Sequence, residues 1–240
     1  MNSNEIQKAH YSQDLSDQIS HRKNMRISKS QRLFATFKKG QRVLDIGCGD
    51  GAILREFTKD FEIHGIDISP LFVKQAKKAG LKAKVHDLEK KALPYPDKYF
   101  GIVYSGETIE HIVDTDWYLS EINRVLKKGG VLLLTVPNIR TVASILMMLL
   151  LDRPPQFSAR YGSPHYRDFT FKTLKTALID HHFKIMKAIG SDFYIPYFLN
   201  FGASIAEFFP SWSKQMIVLA KKVDDSVYQP QKTLKFDLYL

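Results

Sequence analysis

The chain has 240 residues, 44% hydrophobic and 25% charged, proportions of a folded globular protein with one well-cored domain and a modest appendage. Its formal charge of +10 permits an anionic partner, but the lysines are dispersed as pairs at 38–39, 77–78, 90–91, 127–128 and 221–222, and no basic block reads as a nucleic-acid tail. The single cysteine, Cys48, excludes a disulfide framework and a cysteine-based zinc cluster; residues 1–16 contain no apolar leader, and the longest apolar run, "VASILMMLLL", is about half a bilayer span, so a cytoplasmic protein is expected.

From residue 42 onward, short apolar runs alternate with helical patterns, which predicts β-α-β units and a parallel sheet. "RVLDIG" (42–47) reads as a buried strand, "DGAILREFTKD" (50–60) as a helix and "FEIHGIDI" (61–68) as a second strand. The helix over 69–80 has both ends marked, by Ser69 as N-cap, Pro70 at the first position and Gly80 as the stop. "KAKVHDLE" (82–89) is a third strand, and 94–106 a turn leading into a fourth. A helix is expected over 114–130, a fifth strand over 131–138, a further helix over 169–183, and a closing strand pair at 183–193 and 214–223. The segments 1–41, 139–168 and 194–213 are expected to wall a substrate site, since ligands bind beyond the carboxyl ends of strands in open α/β sheets.

"VLDIGCGDGA" (43–52) follows a strand and places Gly47, Gly49 and Gly51 where a backbone must turn tightly beneath a ligand. Together with Ala52 the run also fits a dinucleotide fingerprint, so the glycines alone do not separate the two cofactor classes. Three carboxylates discriminate better. Asp45 sits inside a strand where a buried acid needs a cationic partner, Asp67 is placed for ribose hydroxyls, and Asp87 suits an exocyclic amine such as that of adenine. A ligand with an α-amino group, a ribose and an adenine, without pyrophosphate, accounts for all three. Their structural alternatives are a helix cap for Asp67 and a turn residue for Asp87; Cys48 reads as a small buried filler.

The ordered set "VLDIGCGDG", "GIDIS", "HDLE", "FGIVYSGETIEHI", "INRVLKKGG" and "LLLTVPN" resembles class I S-adenosylmethionine-dependent methyltransferases over residues 40–190, and more loosely to 223. The resemblance implies an α/β, Rossmann-like fold: a seven-stranded, mostly parallel sheet with helices on both faces and the last strand antiparallel. It implies an N-terminal helical cap (1–41), a methyltransferase domain (42–223) and a C-terminal tail (224–240). S-adenosylmethionine is then the cofactor. Asp45 and the loop of Gly47, Cys48, Gly49 and Gly51 would hold its methionine part, Asp67 with Ile68 the ribose, and Asp87 with Leu88 the adenine; Ser105 completes the set.

"SGETIEHIVD" (105–114) spaces Glu107, Glu110 and His111 at i, i+3 and i+4, so a helix there would show all three on one face. An E-x-x-E-H run followed by a later histidine resembles the metal site of small-RNA 2′-O-methyltransferases, and the run recurs in ubiquinone-biosynthesis O-methyltransferases. The resemblance implies that Glu107, Glu110, His111 and His165 ligate one divalent ion, and that donor set suits Mn, Co, Fe or Zn more than Mg. In the metal-free alternative Glu110 faces solvent and His111 packs or acts as base. The catalytic candidates are His111 and Glu107.

The expected activity is methyl transfer to a hydroxyl of a small or lipid-linked acceptor, such as a quinone precursor, glycan or glycolipid. A metal-dependent RNA 2′-O-methyltransferase and a catalytically silent cofactor-binding scaffold are the alternatives, although no arginine-rich, aromatic-interleaved surface favours nucleic acid. The apolar runs at 142–151 and 192–209 read either as core or as a lid or interfacial surface making peripheral membrane contact.

Overall fold

In the computed structural model, residues 25–89, 91–152, 165–193, 202–226 and 228 are described. Of the expected cap, walls and tail, residues 1–24, 153–164, 194–201, 227 and 229–240 therefore lie outside the described residues. The strands are β1 (Arg42–Ile46), β2 (Glu62–Asp67), β3 (Lys82–Val85), β4 (Phe100–Gly106), β5 (Leu126–Pro137), β6 (Phe183–Gly190) and β7 (Gln215–Lys222). They form one sheet in the order β3-β2-β1-β4-β5-β7-β6. The pairs among β1–β5 are parallel, whereas β7 runs antiparallel to both β5 and β6.

Neighbouring strand residues feed different cores, because side chains alternate across a sheet. Leu44 and Ile46 pack with Tyr118, Leu119 and Ile122 of α3 (Thr115–Val125) and with Leu174 and Leu178 of α5 (Phe171–Asp180). Val43 and Ile63 pack on the opposite face with Phe34 of α1 (Met25–Phe34) and with Val73 and Ala76 of α2 (Pro70–Lys78). Burial on both faces explains why the strands read as near-continuous apolar runs. The ends of α2 are those expected: Ser69 Oγ accepts the Phe72 N–H, Pro70 opens the helix, and Gly80 has φ +95°. The α4 helix (Val142–Leu151) and the short α6 (Ala203–Ala206) complete the elements.

Three expected elements differ. Residues 50–60 form turns and a single 3₁₀ segment, Arg55–Phe57, in place of an α-helix. Asp50 Oδ1 accepts the Ala52 N–H, Gly51 takes φ +81°, and tight bonds such as Phe57 N–H to the Leu54 carbonyl turn Phe57 and Phe61 onto the Phe34 ring, 4.8 and 5.0 Å away. The helix expected over 114–130 stops at Val125, since Leu126 already pairs with Phe100 as part of β5. Lys-Lys-Gly-Gly lies instead at the register shift between β4 and β5; a Cβ on Gly130 would come within 2.9 Å of the Lys127 carbonyl oxygen. The third strand ends at Val85, so Asp87 lies two residues beyond it.

Candidate active site

A cavity of about 310 Å³ opens beyond the carboxyl ends of β1, β2 and β4, in the size range of small-molecule sites. Its wall includes Gly47, Cys48, Gly49, Asp67, Ile68, Asp87, Leu88, Glu107 and His111, joined by Arg26 from α1. The two central glycines have different reasons to be glycine. Gly47 (φ +70°) lies against Thr108, whose Oγ1 would be 2.5 Å from an added Cβ, whereas Gly49 (φ +52°) has no protein atom within 4 Å of that position. A backbone bare on its open side lets a ligand approach directly.

Asp67 holds this loop. Its Oδ2 accepts the Gly49 N–H at 2.9 Å and its Oδ1 accepts the Ser69 N–H at 2.8 Å, so one carboxylate ties the glycine loop to the start of α2 while still lining the cavity. Burial pushes the Asp67 pKa up, and backbone N–H groups oppose that shift. Asp87 likewise accepts the Glu89 N–H through Oδ1. Asp87 thus takes the turn role given as its alternative, whereas the cap of α2 is Ser69 rather than Asp67, and both carboxylates remain on the cavity wall. Burial raises the Cys48 pKa, and its sulfur packs where a Gly65 Cβ would lie, consistent with a filler.

Asp45, Gly51 and Ser105 do not line the cavity. Asp45 is buried within β1, Gly51 packs toward Leu81, and the Ser105 hydroxyl is fully buried in a 2.8 Å hydrogen bond with the Tyr118 hydroxyl. The sequence neighbours of two of them, Asp50 and Ala52 beside Gly51 and Gly106 beside Ser105, do line the cavity.

The E-x-x-E-H run is not one helical face. β4 ends at Gly106, Glu107 takes the left-handed φ of +52° with its N–H bonded to the Thr135 carbonyl, and a three-residue 3₁₀ helix, Ile109–His111, follows. The reversal carries Glu107 toward α1. Its Oε1 accepts from Thr135 Oγ1 and lies 3.9 Å from Arg26 Nε, while Arg26 Nη1 reaches the Tyr104 and Thr135 hydroxyls. Glu110 turns inward instead. It is only 1% exposed, which rules out the solvent-facing alternative, and neither carboxylate oxygen has a hydrogen-bond partner among the described residues.

Beside Glu110 stand His111 and His165, whose rings meet edge to face with centroids 4.9 Å apart. One ligand atom from each of Glu110, His111 and His165 lies within 4.8 Å of the others. The Tyr166 and Arg167 N–H groups both donate to the Glu110 carbonyl, which anchors the segment carrying His165. Glu107, expected as a fourth ligand, is outside this group because its backbone reversal commits it to Arg26. Burial holds the His165 pKa down at about 4, with His111 adding to the shift, so His165 is a neutral imidazole at physiological pH. Burial first, and then the Glu107 charge, push Glu110 well above the usual carboxylate range.

Arg26 is a wall residue that sequence reasoning missed, as it missed Phe72, His86 and Thr108. The buried side of α1 carries Arg26, Lys29 and Ser30 beside Ile27, Leu33 and Phe34, so the helix lacks the plain apolar stripe that would have marked its orientation. The Lys29 ammonium donates to the Gly190, Ser191 and Ala203 carbonyls, which accounts for its burial.

The buried acids predict how stability depends on pH. Burial pushes Asp45 up to about 8, so between about pH 4 and pH 8 the folded chain keeps a proton that the unfolded chain has released. Stability from this group is greatest below the unfolded pKa and falls as pH rises to 8, by at most about 1.4 kcal/mol per pH unit. Urea unfolding at pH 6 and pH 8 should show the wild type losing stability and Asp45→Asn losing distinctly less; equal slopes would contradict this origin.

The fold and the cavity define an α/β domain whose cavity opens beyond the carboxyl edge of the sheet, with the reversed seventh strand of the class I methyltransferase architecture. Residues 44–134 match the family model described as "Methyltransferase domain", and the sheet has the fold of class I S-adenosylmethionine-dependent methyltransferases. Over 102 residues the chain is 39% identical to 2-methyl-6-phytyl-1,4-hydroquinone methyltransferase of Synechocystis sp., covering 40% of this chain and 32% of that protein. It is 31% identical over 140 residues to the ubiquinone biosynthesis O-methyltransferase of Xanthomonas oryzae pv. oryzae, covering 54% and 56%. The chain thus spans about a third of the first relative and just over half of the second. A crystal structure of a SAM-dependent methyltransferase from Thermotoga maritima shares the fold with a TM-score of 0.69 and 19% identity, covering 91% of this chain and 99% of that one.

Proposed function

We propose that the protein transfers a methyl group from S-adenosylmethionine to a hydroxyl of a small or lipid-linked acceptor. The observation that carries this reading is the cavity in which the open backbone of Gly49, the Asp67 carboxylate and His111 share one wall. The cofactor supplies an electrophilic methyl on a sulfonium with a neutral leaving group, so the chain's task is to align the acceptor and accept its proton. Asp67 would hold the ribose hydroxyls, Asp87 and Leu88 the adenine, and Arg26, which lines the same cavity, the methionine carboxylate. His111, on the cavity wall beside Glu110, is the group we assign as proton acceptor. The named substrates and pathways of the two relatives support an oxygen-rich, lipophilic acceptor of the quinone-precursor kind.

A divalent ion fits the same region. The unpartnered, buried Glu110 carboxylate and two imidazoles form an N₂O donor set suited to Mn, Co, Fe or Zn. Glu110, His111 and His165 would hold the ion, which would lower the pKa of an acceptor hydroxyl and so replace the proton-accepting role assigned to a metal-free His111. The sequence motif placed Glu107 in that set; the geometry supports three residues.

Isothermal titration with S-adenosylmethionine, followed by mass analysis of product from quinone precursors, glycans and RNA ends, tests the first proposal. Binding with methylated quinone-type product supports it; product only from RNA ends, or binding without any turnover, replaces it with the RNA-directed or the silent reading. Elemental analysis of purified protein tests the metal. About one equivalent in the wild type and at least about tenfold less in Glu110→Gln and His165→Ala is expected, and equal content in all three removes the site.

A further inference from the structure

Apolar helices of folded proteins normally turn their apolar side chains inward, but α4 does not. Its sequence, VASILMMLLL, has no charged residue, and of its ten positions only Ala143 and Ser144 are buried. The last turn projects on all sides: Leu149 and Leu150 are each 75% exposed, with Met148 and Leu151 exposed beside them. A second apolar segment, around α6, exposes Ile205, Phe209 and, at 81%, Phe208.

The two segments adjoin at their bases. The Arg140 guanidinium lies 4.4 Å from the centroid of the Trp212 ring, and Asn138 Nδ2 donates to the Ser213 carbonyl. Both emerge from the cavity's edge of the sheet, because the carboxyl end of β5 pairs with the amino end of the antiparallel β7, Pro137 opposite Gln215. No helix among the described residues is long and apolar enough to cross a membrane. A short apolar helix ending in a projecting tip suits insertion at the boundary of headgroups and acyl chains.

We propose that α4 and the Ile205–Phe209 segment form a ledge that docks the catalytic edge on an anionic phospholipid bilayer, where a lipid-linked acceptor can reach the cavity. Charge decides between a bilayer and a second copy as occupant. A chain of formal charge +10 is attracted to an anionic surface and repelled by its own kind, and the Arg140 cation stands at the ledge's base. The tip's exposure on every side also favours a fluid apolar medium over a flat self-complementary face. The docking itself is independent of turnover; only the lipid-linked acceptor rests on the methyltransferase reading.

The test is flotation of the full chain with vesicles of phosphatidylglycerol and phosphatidylcholine, and with vesicles of phosphatidylcholine alone. Binding to the anionic vesicles is expected, at least about tenfold weaker without phosphatidylglycerol and weakened by high salt. The triple substitution Leu149→Ser, Leu150→Ser, Phe208→Ser should lower binding at least about tenfold while circular dichroism and S-adenosylmethionine titration stay unchanged. Should the triple variant fail to fold, Phe208→Ser alone carries the comparison, with an expected loss of several-fold. Absent binding to anionic vesicles, or binding indifferent to these substitutions, overturns the proposal. So does a dimer in sedimentation velocity that the substitutions convert to monomer, since a second copy would then cover the ledge. Vesicle binding by a chain that fails to bind S-adenosylmethionine would refute the methyltransferase reading and leave the ledge standing.

Discussion

Gly49→Val is expected to weaken S-adenosylmethionine binding at least about a hundredfold, equivalent to about 2.7 kcal/mol. A Cβ at this position meets no protein atom within 4 Å, so the added side chain occupies the cavity rather than the core. The cost to the fold comes from holding a substituted residue at φ +52°, roughly 1–2 kcal/mol. Gly47→Val gives the contrasting outcome, since its Cβ would press on Thr108 Oγ1 at 2.5 Å; both affinity and stability should fall. Calorimetric titration with urea unfolding separates the two variants. Unchanged affinity in Gly49→Val would refute the assignment of the loop as the cofactor's cradle.

The second large effect is expected at Arg26, whose replacement by alanine should cost about 2–4 kcal/mol. The buried guanidinium serves the Tyr104 and Thr135 hydroxyls and faces Glu107, whose own pKa burial raises and Arg26 pulls down. Removing the cation leaves the buried Glu107 carboxylate without the charge that compensates it. Glu107→Gln in the Arg26→Ala background should restore part of the loss, and a double-mutant cycle measured by urea unfolding gives the coupling. A single-variant cost below about 0.5 kcal/mol would mean that water already serves the pair.

The glycine loop was legible in the sequence because its constraint is local: a strand and a turn needing positive φ occupy consecutive residues. The ends of α2 were legible for the same reason, with Ser69, Pro70 and Gly80 each acting within one turn. Local reading failed where distant packing competed. Residues 50–60 carry a helical pattern, but the pull of Phe57 and Phe61 onto Phe34 draws them into turns. At 126–130 the pairing of Leu126 with Phe100 ends the helix earlier than its composition suggests.

The acidic run shows the same division at the site. Its residue types announced a cluster, while the spacing suggested a face that a single left-handed residue, Glu107, abolishes. That reversal depends on a hydrogen bond to Thr135 in a neighbouring strand, and no local propensity encodes it. The meeting of His165 with Glu110 and His111 likewise depends on 165–167 crossing to the Glu110 carbonyl.

What the sequence determined by itself was the alternation of strand and helix, hence the sheet, and the glycine loop with Asp67 and Asp87 on one cavity, because hydrophobic period and turn chemistry act over a few residues. Only the tertiary structure decided that Arg26 faces Glu107, that Glu110, His111 and His165 gather as three rather than four with Glu107, and that VASILMMLLL stands out from the core. Those outcomes depend on which distant surfaces meet, and a linear pattern carries no record of that.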